Sequence, residues 1–172
     1  MKKGMMALIG MVVALVFILI ALIGPWYAFS MSAFGQTMEG SFGLFGGEAT
    51  VAGQTMSYSF ADVAGTDKGP IDTTMYLTVI AFIFALLALI CIAMASFNLG
   101  NANMMGKLGG IFGILTFLFA LIAAIYFMTL EAWSTVGFWN EMSGPGYAWY
   151  MMIIGAIVAI IFSIPMFTKK AA

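Results

Sequence analysis

The sequence predicts a membrane all-α four-helix bundle carrying a small extracellular antiparallel β-sheet, built from the first outer loop. Composition, four uninterrupted apolar runs and the placement of the lysines predict it. Of 172 residues, 63% are hydrophobic and only 8% charged, whereas a soluble domain keeps about a quarter of its residues charged. Lipid is therefore the expected solvent. The length suits one unit, a single domain over residues 1–172.

The apolar runs cover about residues 5–24, 76–97, 108–129 and 147–167, and none contains Lys, Asp or Glu. Each approaches the roughly 20 residues that carry a helix across a hydrocarbon core. Backbone polar groups find no water in lipid, so continuous helices are the expected form. The first run is longer than the roughly 7–15 residues of a signal-peptide core. No small-x-small cleavage pattern precedes Pro25, so this run reads as an anchor.

Direction follows from charge. Lys2, Lys3, Lys107, Lys169 and Lys170 fall on one side of a four-pass chain, and only Lys68 on the other. Lysine retention places both termini and the Asn98–Lys107 turn in the cytoplasm, in a plasma membrane. Glu39, Glu48, Asp62, Asp67, Asp72, Glu131 and Glu141 then all lie outside. Trp26, Trp133, Trp139 and Trp149 collect at the outer ends of the spans, as a one-sided interfacial belt would.

The outer loop 25–75 is too long for a plain connection. Trp26–Phe34, Thr37–Phe45, Thr50-Val51 and Gln54–Phe60 read as strands, punctuated by Gly35, Gly46-Gly47 and Ala52-Gly53. Asp72 reads as the N-cap of the second helix. The outer loop 130–146 is shorter and aromatic, and Gly144-Pro145-Gly146 ends it.

This layout resembles the claudin-like four-pass superfamily, which includes claudins, peripheral-myelin-protein relatives, channel gamma subunits and the Sur7 group. Pro25-Trp26 stands where that group has a Trp outside the first helix, and Gly43-Leu44-Phe45 where it has Gly-Leu-Trp. Gly106-Lys107-Leu108-Gly109-Gly110 is similar to the Gly-rich start of its third helix, and Gly146-Tyr147-Ala148-Trp149 to the start of its fourth. Phe45 replaces a tryptophan, both loop cysteines are missing, and no basic residue precedes the second span. The resemblance implies the fold; junction formation and paracellular selectivity are not carried over. A sheet without the disulfide must be held by packing alone.

Little chemistry is encoded. Histidine and arginine are absent, and Cys91 has no partner for an intrachain disulfide. No span holds an ionisable group of the kind that marks proton relays and ion pathways. Asp62, Asp67 and Asp72 fit no EF-hand spacing and read as a solvated acidic surface. The methionine pairs at 5-6, 104-105 and 151-152 read as packing rather than Cu(I) ligands. No catalytic residue, metal site or cofactor is expected.

Small residues carry more information. Gly106/Gly110 and Gly109/Gly113 have the GxxxG spacing, and Ala120/Ala124 continue the stripe. Gly10/Ala14, Ala81/Ala85 and Gly155/Ala159 give every other helix one such pair. This spacing lets backbones approach closely in lipid, chiefly within the bundle. Outside, Trp26, Tyr27, Phe42, Leu44, Phe45, Trp133, Phe138 and Trp139 are candidate contact residues. The alternative is that they sit at headgroup level or fill the core between sheet and helices.

The expected function is non-catalytic: lateral association, as a scaffold or accessory subunit of a larger membrane complex. Its partners would be the lipid bilayer and other membrane subunits or copies of itself, with no role for nucleic acid. Two alternatives stand beside it: a subunit of an oligomeric channel or transporter, and a membrane enzyme using outer-loop carboxylates.

Overall fold

Helix α1 (Lys3–Ile23) runs straight into strand β1 (Pro25–Ala33) through a bend at Gly24. Strands β2 (Gln36–Gly43), β3 (Gly46–Val51) and β4 (Gln54–Ser59) follow, then α2 (Gly69–Ser96), α3 (Ala102–Met128), a short β5 (Ser143–Pro145) and α4 (Tyr147–Ser163). A 3₁₀ turn over Ile164–Phe167 ends the described chain, where Pro165 lacks the N–H that would continue α4. The computed structural model describes residues 3–33, 36–59, 69–129 and 143–167. Lys2, Phe60, Asp62, Asp67, Lys68, Glu131, Trp133, Phe138, Trp139, Glu141, Lys169 and Lys170 lie outside the described residues.

Among the described residues four helical segments, Gly4–Ile23, Ile71–Ser96, Ala102–Met128 and Tyr147–Phe167, are long and apolar enough to cross a membrane. By length and composition they are those of a multi-pass membrane protein. Two begin earlier than hydropathy alone implies. Helix α2 is already helical at Gly69, so Asp72 lies in its first turn instead of capping it. There its charge still favours the positive end of the helix dipole.

The turn between α2 and α3 is also tighter than expected. Asn98 takes a left-handed conformation at φ 56°. Its N–H bonds to the Ala95 carbonyl at 3.3 Å, and the N–H of Leu99 to the Met94 carbonyl at 2.8 Å, which is a Schellman ending. Asn101 then caps α3, its side-chain oxygen accepting from the N–H of Met104 at 3.1 Å.

Among the described residues each helix packs on its neighbours in sequence, and α4 closes the ring on α1. The buried positions recur at alternating steps of three and four. In α2 they are Ile71, Thr74, Thr78, Ala81, Ala85, Ala88 and Ile92. In α1 they include Ala7, Met11, Ala14, Ile18 and Ala21. That 3.5-residue period is the seam of helices crossing at a shallow angle. Most of these seam residues are small. Ile9, Val16, Leu19, Ile83, Leu87, Ile90, Ile122 and Ile157, all large, point away from the bundle.

Among the described residues five strands form one antiparallel sheet in the order β4-β3-β2-β1-β5. Its inner edge is tied to the bundle twice, because β1 continues α1 and β5 leads into α4. Register sorts the side chains by polarity. Ala28, Ser30, Ser32, Thr37, Glu39, Ser41, Glu48, Thr50, Thr55 and Ser57 share one face, while Tyr27, Phe29, Met38, Phe42, Ala49, Val51 and Met56 share the other. Gly46-Gly47, expected as a break, belong to β3. Ala52 and Gly53 (φ 51° and 79°) make the β3–β4 hairpin, with the two positive φ values of a type I′ turn.

Candidate functional site

The most developed feature of the molecule is the seam where the sheet meets the helix ends. Between Pro25 and Tyr27 the β1–β2 register slips, Pro25 facing Gly43 and Tyr27 facing Phe42. Trp26 is the extra residue of this bulge. In a regular strand Trp26 and Tyr27 would point to opposite faces; here both are buried. Trp26 folds back over the end of α1, and its indole N–H donates to the Ala21 carbonyl at 2.5 Å. Its ring meets Phe127 of α3 at a centroid distance of 5.0 Å.

Leu44 is buried in the same core, and Phe42 is half-buried with its ring 6.3 Å from that of Phe127. Phe45 alone of the described contact candidates is exposed. Trp26, Tyr27, Phe42 and Leu44 thus pack in the core between sheet and helices. Trp149 is buried too, its indole N–H donating to the Ala124 carbonyl at 3.1 Å. These two tryptophans therefore do not stand in an interfacial belt: their N–H groups are satisfied by backbone carbonyls inside the protein.

The glycine stripe of α3 divides between two neighbours. A Cβ on Gly109 would lie 2.6 Å from Ile92 Cγ1 and 3.3 Å from the Ala88 carbonyl oxygen of α2. Gly113 is pressed against Ser163 of α4, and Gly110 against the ring of Phe167. Gly106 faces Met166 with slightly more room. Gly155 brings α4 against Ala14, Phe17 and Ile18 of α1, and Ala159 is buried in the lower core with Met11 and Ile92. All six positions pack inside the bundle. The seam also uses Ala7 and Ala88, which the pair-by-pair sequence pattern passes over.

No protein-family model matches the chain, and no curated protein is detectably similar to it.

Polar groups inside the bundle are closed off locally. The hydroxyls of Thr78, Thr116 and Ser163 donate to carbonyls four residues back, Thr74, Phe112 and Ala159, at 2.6–2.9 Å. Among the described residues no buried side-chain polar atom lacks a hydrogen-bond partner. No group of three or more His, Cys, Asp or Glu residues among them could hold a metal ion. Glu39 and Glu48 stand exposed on the polar face of the sheet, among serine and threonine hydroxyls.

Proposed function

We propose that the chain is a four-pass, non-catalytic protein of the plasma membrane with a claudin-like fold, acting by lateral association as a scaffold or accessory subunit. Its termini and the Asn98–Gly100 turn face the cytoplasm, and its sheet stands outside. One observation carries the membrane placement: the distribution of side chains by size is inverted. Ala, Gly, Ser and Thr line the seams, while large apolar residues form the outer surface of every helix. In water that surface would cost about 25 cal/mol per Å², and soluble monomers rarely expose apolar patches beyond roughly a few hundred Å². In lipid it costs nothing, and small residues at the seam maximise van der Waals contact between helices.

Association is supported by the distal part of the sheet's apolar face. Met38 and Met56 are exposed there, on a body that stands above the helices. Met is over-used at surfaces that adapt to several partners. Photo-crosslinkers at Met38 and Met56 in native membranes should yield defined adducts with another membrane protein or a second copy. Recovery of the uncrosslinked chain alone would overturn association. Orientation is checked separately, by impermeant labelling of cysteines placed at Glu39 and Lys107 in intact cells; only the first should react.

A further inference from the structure

At the foot of the sheet's polar face, a groove of about 500 Å³ opens between the sheet and the adjoining ends of α1 and α4. Its upper wall is one register row, Ser41 facing Glu48 and Glu48 facing Ser57 across β2, β3 and β4. Gly43, Gly46 and Gly47 line it without side chains, so a ligand can come close to the backbone. Its lower wall is apolar and bare: Ile23 is 71% exposed, Phe45 57% and Tyr147 55%. Among the described residues Glu48 is the only carboxylate in the lining and has no ion-pair partner. The groove therefore passes from a negative, hydroxyl-rich rim to an apolar base at the ends of two apolar helices.

We propose that this groove binds the headgroup of an aminophospholipid. A primary ammonium has three N–H donors and no acceptor, which matches the Glu48 carboxylate flanked by the Ser41 and Ser57 hydroxyl oxygens. The glycerol and upper acyl chains would lie along Ile23, Phe45 and Tyr147. A choline headgroup carries the same charge without donors, and a glycerol headgroup offers hydroxyl donors without the positive charge. Neither brings donors and charge to Glu48 together. The proposal rests on the membrane placement above, since it needs the end of α1 and the start of α4 at a lipid–water boundary.

The test is native mass spectrometry of the full chain in mild detergent, with phosphatidylethanolamine, phosphatidylcholine and phosphatidylglycerol of identical acyl chains. The ethanolamine lipid should be retained about tenfold better than the others, the scale of one charge-assisted hydrogen-bond set. Glu48→Gln should abolish that preference. Glu39→Gln, on the same face but outside the groove, should keep it. Equal retention of all three lipids, or an unchanged preference in Glu48→Gln, overturns the proposal while leaving the membrane reading intact. A chain recovered in soluble form without detergent overturns both.

Discussion

The indole N–H of Trp26 donates to the carbonyl oxygen of Ala21, five residues earlier, at 2.5 Å. Ala21 lies in the last turn of α1, where carbonyls have no helical partner. The bulge in β1 turns the ring back over that end, and Phe127 closes it from α3. One side chain thus caps a helix, starts the sheet and joins both to a second helix. Trp26→Phe keeps most of the apolar volume but leaves a buried carbonyl unpaired, at a cost of about 1–3 kcal/mol. Trp26→Ala adds a cavity and should cost about 3–5 kcal/mol. Thermal unfolding in detergent should rank wild type above Trp26→Phe above Trp26→Ala; equal midpoints for the first two would remove the hydrogen bond from this account.

The α3 glycines allow a sharper comparison. An added methyl at Gly109 meets Ile92 Cγ1 at 2.6 Å and backbone atoms of Ala88 and Ile92 at 3.2–3.3 Å. Backbone cannot yield as a side-chain tip does, so α2 and α3 must separate. Gly109→Ala should destabilise by about 1–3 kcal/mol. At Gly106 the nearest atoms are Met166 Cε at 3.3 Å and Ala95 Cβ at 3.8 Å. A methionine tip moves readily, and alanine gains about 1 kcal/mol of helix propensity over glycine. Gly106→Ala should therefore be neutral or stabilising in the same unfolding assay. Similar losses at both sites would mean that the seam is not packed as described.

The contrast between these glycines marks what the sequence can and cannot disclose. Hydropathy alone reveals four spans, because no run contains a charge that would break the signal. Four strands are legible from alternation and from Ala52-Gly53. The fifth is not: three residues, Ser143–Pro145, are too few to carry a period. The bulge at Trp26 is equally hidden, since it depends on the partner strand's register. Trp26 and Tyr27 therefore look like surface aromatics, although both are buried. GxxxG spacing announces close packing without naming the neighbour, and only coordinates separate Gly109, against α2, from Gly113, against α4.

Ala52 occupies the first central position of the β3–β4 hairpin with φ 51°, a region that costs most L-residues about 1–2 kcal/mol. Asparagine tolerates it and is favoured in type I′ turns before glycine. Ala52→Asn should slow amide hydrogen exchange in β3 and β4, by a factor corresponding to about 0.5–1 kcal/mol. Ala52→Val, β-branched, should accelerate it. If neither substitution alters exchange, the hairpin does not depend on this turn.

Ile83, near the middle of α2, is 49% exposed and faces away from the bundle. Its surroundings decide what a charge would do there. On a water-facing helix Ile83→Lys would be harmless, since it removes exposed apolar surface. Facing lipid near mid-span, lysine carries a penalty of about 2.5–3.5 kcal/mol in translocon-based measurements, while isoleucine is favourable. Partners inside the bundle cannot relieve it, because the side chain points outward. Ala85 is the complementary site, fully buried in the same helix. There Ala85→Leu adds volume to a seam built for small residues and should cost about 1–3 kcal/mol, although it makes the helix more hydrophobic. Membrane-insertion efficiency should thus fall for Ile83→Lys and hold for Ala85→Leu, while folded stability in detergent falls for Ala85→Leu. Full insertion and normal stability of Ile83→Lys would place water, not lipid, against this face.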